Sequence, residues 1–351
     1  MHTSLIAVFR AARYIPALLL AAGCAHIDPL AARDYQVVGK FAIGGAGGWD
    51  YVSVDEKRHR LFVSRSDRVQ VVDTITGRVV NELAGTAGVH GVVIAEELGL
   101  GFTSNGRSNS VTVFDLNTLA VVDTVKVTGA NPDAILYEPV SRLVLTFNGG
   151  SANATAIDAR SRKVIATIAL SGKPEFAASD ERGRVFVNIE DKNSVAVIDT
   201  ASLTVAKYWP LADCDEPTGL AIDPARGRLF SVCHNRKMVV IDTKTGEIVG
   251  SLPIGASVDG VVFDPAYGTA ISSNGDGTAT IVGKGRGDRY EVIGNIATQA
   301  SARTVALDSS SHRLYLPAAS FAPAAPPTTE QPRPRPSMIA DSFVILVLAP
   351  R

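Results

Sequence analysis

Short β-branched runs with alternating apolar and polar positions recur along the chain, each closed by an Asp-, Asn- or Gly-rich stretch. The segment GRLFSVCHNRKMVVIDTKTGEIVGSLPIG (227–255) has loose copies in RLFVSRSDRVQVVDTITGRVVNEL (60–83) and RVFVNIEDKNSVAVIDTASLTVAKYWPL (184–211). Two further copies are GLGFTSNGRSNSVTVFDLNTLAVVDTV (99–125) and RLVLTFNGGSANATAIDARSRKVIATI (142–168). Asp73-Thr74, Asp199-Thr200 and Asp242-Thr243 each close one run and open a tight turn. There Asp and Thr side chains cap their own backbone, and Gly77 or Gly246 supplies the permissive φ. Past the N-terminal segment no stretch carries a persuasive 3.6-residue period. The chain reads as all-β.

Anchored on the first strand of each unit, seven starts appear: WDYVSVD (49–55), VHGVVIA (89–95), PDAILYE (132–138), PEFAASD (174–180), PTGLAID (217–223), VDGVVFD (258–264) and ARTVALD (302–308). Their second residues are Asp50, His90, Asp133, Glu175, Thr218, Asp259 and Arg303, spaced by 40, 43, 42, 43, 41 and 44. A period near 42 with four short strands per unit predicts a seven-bladed β-propeller; a sandwich or solenoid of similar strands is the competing arrangement. The seventh unit ends on the apolar run SFVILVLA (342–349) with no fourth strand after it, while DYQVVGKFA (34–42) stands alone before the first. The N-terminal strand is therefore expected to complete the last blade and leave no open seam.

Composition agrees with this. Thirty-one Gly and 18 Pro among 351 residues, with 6% aromatics, suit many turns rather than long helices. Thirty-four basic and 35 acidic side chains exclude a chain dominated by a nucleic-acid footprint. Basic loop residues such as Arg68, Arg107, Lys192 and Arg236 are not interleaved with aromatics, so no nucleic-acid partner is expected.

Residues 1–23 hold no acid, carry Arg10 and Arg13 ahead of the apolar stretch Ile15–Ala22, and end before Cys24. That is the pattern of a secretory signal peptide, too short in its apolar part to span a bilayer. Cys24 after Ala21-Ala22-Gly23 resembles a bacterial lipobox, with Ala21 where Leu usually stands. Lipidation at Cys24 and simple cleavage with release are both open, and either exports the chain to the periplasm or outer membrane. Residues 24–34 are then a tether, 35–351 the propeller, and a monomer is expected.

The alternation of F-V-[ST]-[RN] runs with V-x-V-[IV]-D-T-x-T-G resembles the YVTN β-propeller repeat, and the whole is similar to exported YncE-like propellers. The resemblance covers residues 35–351 and implies a seven-bladed exported protein, in a family mostly of unsettled function. The sixth and seventh units depart from it: the sixth reads TATIVGKGRGDRYEVIG without the Asp-Thr turn, and the seventh carries a long insertion.

In such a ring the segments before each innermost strand and the loops between second and third strands share one channel mouth, where closed β architectures favour ligand sites. Asp50, His90, Asp133, Glu175, Thr218, Asp259 and Arg303 converge there, with Arg65, Asn105, Asn148, Glu190, His234, Asn235 and Asn274 in the loops above. Crowded carboxylates share protons or hold a cation. Asp133, Glu175 and Asp259 would suit Ca²⁺ or Mg²⁺, and including His90 or His234 admits Zn²⁺ or Mn²⁺. Such a metal would serve a lactonase-like hydrolase or lyase. Otherwise the mouth binds a small molecule or an envelope protein, or the polar groups simply bind water and neighbouring backbone.

Gly44-Gly45-Ala46-Gly47-Gly48 has no Lys-Ser/Thr or helix after it and reads as a linker. No G-x-S-x-G elbow exists, and Ser64 and Ser104 read as loop serines. Cys214 precedes the first strand of the fifth unit and Cys233 ends its second, so antiparallel pairing brings them within disulfide reach. The Pro-rich insertion 321–338 is expected to emerge extended at the mouth, as a lid, a partner-docking strip or a solvated loop.

Overall fold

The computed structural model describes residues 1–2, 35–287, 289–324, 326, 328 and 334–351. The signal segment, the tether and Cys24 lie outside the described residues. Seven four-stranded antiparallel sheets follow one another in a ring. This is a seven-bladed β-propeller, and no α-helix occurs among the described residues.

The first blade shows the plan: β2 (Val52–Asp55), β3 (Arg60–Arg65), β4 (Arg68–Asp73) and β5 (Val79–Leu83), paired in that order from axis to rim. The two middle strands of each blade are buried on both faces, because a blade packs against a neighbour on either side. Hence LVLTFN (Leu143–Asn148) is buried at every position, whereas the rim strand Val79–Leu83 is mostly exposed. The blade-to-blade cores centre on fully buried Phe62, Phe114, Phe147, Phe186 and Phe230.

The seventh blade is closed as the pattern predicts. Its strands are β26 (Ala306–Asp308), β27 (Arg313–Ala318) and β28 (Val344–Pro350), and its fourth is β1 (Tyr35–Ala42). The latter pairs antiparallel with β28 from Tyr35↔Pro350 to Ala42↔Val344.

The Asp-Thr turns lie between third and fourth strands and are structural. The Asp73 carboxylate accepts from the Ile75 and Thr76 amides and the Thr76 hydroxyl. Asp115 and Asp199 repeat the arrangement with Thr118 and Ser202. Hydrogen bonds from the Thr76 amide and hydroxyl hold the Asp73 carboxyl below its ordinary range. Gly77 and Gly246 do more than permit positive φ. Each seats an aromatic side chain from the rim strand of the preceding blade: a β-carbon would lie 2.3 Å from Phe41 Cδ1 at Gly77, and 2.3 Å from Trp209 Cδ1 at Gly246.

Cys214 and Cys233 are disulfide-bonded, with Cα atoms 5.4 Å apart. Closing 19 residues this way stabilises by about 3 kcal/mol in the chain-entropy model. The Pro-rich insertion joins β27 to β28, and its base is pinned by the Phe321↔Met338 bridge and by Trp49, whose ring lies 6.0 Å from that of Phe321. The observed ends of the insertion therefore pack beside the Trp49 loop.

Gly246→Ala should cost about 1–2 kcal/mol from the left-handed φ, and more from the displaced Trp209 ring. A lower urea midpoint with a Trp fluorescence change will check this; an unchanged midpoint would show that the contact between blades at this turn is slack.

Candidate functional site

Five of the seven innermost strands begin with a register irregularity against their neighbour; the inner strands of the first and seventh blades pair without one. These fall at Val89/Val92, Pro132/Ile135, Pro174/Ala177, Pro217/Leu220 and Val258/Gly260. The ring residues His90, Asp133, Glu175, Thr218 and Asp259 sit inside these slips. A bulge re-aims a side chain, and at His90, Asp133 and Asp259 it frees the residue to join the charge pairs of the mouth. Buried second-strand hydroxyls hold these strand starts, at the regular first blade as well as at the slipped second. The Asp50 amide donates to Ser64 Oγ, which donates to the Tyr51 carbonyl; the Gly91 amide donates to Ser104 Oγ, which donates to the Asp133 carbonyl. Ser64 and Ser104 are thus buried strand residues with saturated hydroxyls, not loop serines.

The ring closes into a chain of charge pairs running from the sixth blade to the third. Arg303 Nε donates to Asp259 Oδ2 at 2.8 Å, and its Nη2 lies 3.8 Å from Asp50 Oδ1. Asp50 Oδ2 meets His90 Nδ1 at 2.7 Å, and Asp133 Oδ1 lies 3.4 Å from the same nitrogen. Tyr51 donates its hydroxyl to Asp133 at 3.2 Å, and the other ring nitrogen of His90 is held by the Asn131 side chain. In the fourth blade Lys173 bridges Glu175 at 2.7 Å and also Glu190. His234 stands apart at the rim, 2.6 Å from Glu216.

Burial disfavours the His90 imidazolium, but the hydrogen bond to Asp50 and the charges of Asp133 and Asp50 override it and lift the group to about 9. Burial, then the Asp133 charge, pushes Glu175 up to about 8 against the pull of Lys173. Burial raises Asp50, Asp133 and Asp259 as well, with His90 and Arg303 opposing. The Asp50 side chain keeps a fifth of its surface in contact with solvent, so this is enclosure by the channel wall and not isolation from water.

Several expected mouth residues belong to the framework instead. Thr218 is buried, its hydroxyl turned to the Val232 and Val258 carbonyls, so the fifth blade contributes no open group to the ring. Asn105, Asn148 and Asn274 are fully buried ends of second strands. Each amide donates to hydroxyls of its own blade, Thr112, Thr155 and Thr280 respectively. Asn235 is half-buried and donates to the Asp213 carbonyl. Arg65 departs furthest. It is fully buried and donates to the carbonyls of Gly44, Gly45, Ala46 and Gly47, with its guanidinium 3.8 Å over the Phe343 ring. The glycine linker is therefore a strap wound around a buried cation, which burial lowers to about 10.

For metal binding, the donor atoms of Asp50, His90 and Asp133 lie within 4.8 Å of one another, as do those of Glu190, Glu216 and His234. Glu175 and Asp259 fall outside both groups. The expected set of Asp133, Glu175, Asp259 and His90 is thus redrawn: the Lys173 and Arg303 pairs hold Glu175 and Asp259 elsewhere. Tyr51, Lys173 and Asn131 complete the site without having been singled out from sequence. The aromatic third residues of WDY and PEF, Tyr51 and Phe176, were the available signal for the first of these; their rings pack edge to face at 4.4 Å.

No family model and no curated protein matches the chain. Among solved structures, a chain of the Kuenenia stuttgartiensis hydrazine synthase aligns with a TM-score of 0.68 at 18% identity, covering 78% of this chain and 93% of that one. A chain of the mitotic checkpoint complex aligns with a TM-score of 0.73 at 13% identity, covering 99% of each. These likenesses show the fold: the protein is an all-β, seven-bladed β-propeller.

The two upward shifts predict a pH dependence. Glu175 and His90 both bind their protons more tightly in the folded state than in the unfolded. The Glu175 contribution is complete below 4.5 and lost by about 8; that of His90 is complete below 6.5 and lost by about 9. Urea midpoints should fall steadily from pH 6 to pH 9. His90→Gln should flatten the upper part of that slope and Glu175→Gln the lower part.

Proposed function

We propose that this chain is an exported binding or scaffolding propeller of the cell envelope that takes a small ligand or a protein partner at its channel mouth. The observation that carries the reading is the chain of charge pairs linking Asp259, Arg303, Asp50, His90 and Asp133 across five successive blades. Charged groups fixed this way at a concave mouth are preorganised to exchange their internal partners for a ligand's. Beside them, a cavity of about 410 Å³ lined by His234, Ser257, Val258, Asp259 and Arg303 opens to solvent. The fold alone does not select a function. The YVTN-like repeats support an exported protein of this kind, as does the leader ahead of Cys24, with attachment through a lipid on that residue.

Capture of a partner or ligand from envelope extract should be lost in a Lys173→Ala/Glu175→Gln/Arg303→Ala variant whose melting temperature at pH 6 stays within a few degrees of the parent. Capture that persists would move the binding surface elsewhere.

A second reading, a metal-dependent hydrolase, is favoured by the convergence of Asp50, His90 and Asp133. Two carboxylates and an imidazole held by a side-chain amide suit Zn²⁺ or Mn²⁺, which would supply Lewis-acid activation of an ester or lactone. The purified mature chain should then hold about one equivalent of divalent ion, lost in Asp50→Asn/His90→Gln. Metal-free protein showing no thermal shift with any divalent ion would end this reading.

A further inference from the structure

Directly beneath the ring the channel holds a cavity of about 290 Å³. Its wall is built from Val52, Val92, Ala134, Phe176, Val261 and Leu307, one on each of the six blades that line it. The three hydroxyls in that wall, of Tyr51, Ser53 and Thr304, are each engaged within the protein. Ser53 donates to the Val92 carbonyl and Thr304 to the Asp50 carbonyl. The channel wall is therefore more apolar than polar, its remaining polar surface coming largely from the free edges of the innermost strands.

At the top of this apolar shaft the Tyr51 and Phe176 rings meet edge to face, and the Tyr51 hydroxyl fixes the Asp133 carboxylate above them. The mouth immediately around holds the carboxylates of Asp50, Asp133, Glu175, Asp259 and Glu190 against three cations, His90, Arg303 and Lys173. Acid is in excess where the shaft opens. Asp133, Tyr51 and Phe176 stand together there, with His90 3.4 Å from the Asp133 carboxylate.

We infer that the channel binds a small organic cation: an alkylammonium whose charged head lies against Asp133 and the aromatic pair and whose apolar tail fills the shaft. Each part of the site has its counterpart in such a molecule. Carboxylates accept from the ammonium N–H groups, aromatic rings attract its charge, and the carbon-lined shaft removes its methylenes from water. A bare divalent ion would use Asp50, His90 and Asp133 and leave the shaft empty, and an anionic amphiphile would meet like charge at the entrance. A cavity of about 290 Å³ equals about ten water volumes, which limits the ligand to a short chain. The inference rests on the mouth being the ligand site, and it names the class of ligand.

The test is calorimetric titration of the mature full chain with n-butyl-, n-pentyl- and n-hexylammonium chloride, with hexan-1-ol and hexanoate alongside. Saturable one-to-one binding of the amines is expected, tightening about fourfold per methylene added within the shaft. Hexan-1-ol should bind at least tenfold more weakly than hexylammonium, and hexanoate should not saturate. Asp133→Asn should weaken hexylammonium at least tenfold without changing hexan-1-ol. Val262→Phe, at a partly exposed position of the shaft wall, should weaken the hexyl compound more than the butyl one. Equal binding of hexanoate, or an affinity that ignores tail length, overturns the proposal. If the amines do not bind while ring-dependent capture from envelope extract persists, the ligand class falls and the mouth reading stands. If both fail, both fall.

Discussion

The antiparallel pairing of β1 with β28 holds the ring shut, and every other feature of the molecule presupposes it. Without it the seventh blade would have three strands and expose the backbone edge of Val344–Pro350. The two ends brought together are 315 residues apart at Tyr35 and Pro350. Closing a loop of that length costs only about 2 kcal/mol more than closing one blade of some 40 residues, because the entropy grows with the logarithm of length. A ladder of paired residues and the burial of Leu346, Leu348 and Tyr35 against the sixth blade offset that cost. Closure also sets the distance of each innermost strand from the axis, and so determines whether the ring side chains can touch.

Those side chains touch because the first residues of the innermost strands leave the ladder. The slips at Val89/Val92 and Pro132/Ile135 give up regular strand pairing to aim His90 and Asp133 at the same point. Ser104 recovers part of the loss by bonding one blade to the next, while Ser64 ties Asp50 and Tyr51 to its own blade. Crowded carboxylates are costly in an enclosed mouth, and the proton held by His90 together with the Arg303 and Lys173 charges lowers that cost. Below them the wall turns apolar within one residue, from Asp50 through Tyr51 to Val52.

Arg65 shows how differently two residues at equivalent repeat positions are used. Both Arg65 and Asn105 end a second strand, yet Asn105 completes a hydrogen-bond network inside its blade while Arg65 gathers four carbonyls of the strap that enters the first blade. The strap is unique to the site of closure, and so is the cation that organises it. Repetition makes the other second-strand ends alike; the break in repetition at Gly44–Gly48 makes this one different.

The repeat period, the all-β pattern, the number of blades, closure by the N-terminal strand and the Cys214–Cys233 bridge were all legible in the amino-acid order. Each depends on local chemistry: strand alternation, turn residues at fixed offsets, and antiparallel neighbours close in sequence. The ring itself was legible as a set of positions, since Asp50, His90, Asp133, Glu175, Asp259 and Arg303 do face the mouth. Only the tertiary structure decided which of them meet, that Thr218, Asn105, Asn148 and Asn274 turn inward, and that Tyr51 and Lys173 join them. Those outcomes follow from contacts between blades, which pair residues some 40 positions apart and are set by one-residue register slips. No local pattern encodes a slip, because the same polar residue satisfies the repeat whether it faces the channel or a neighbouring hydroxyl.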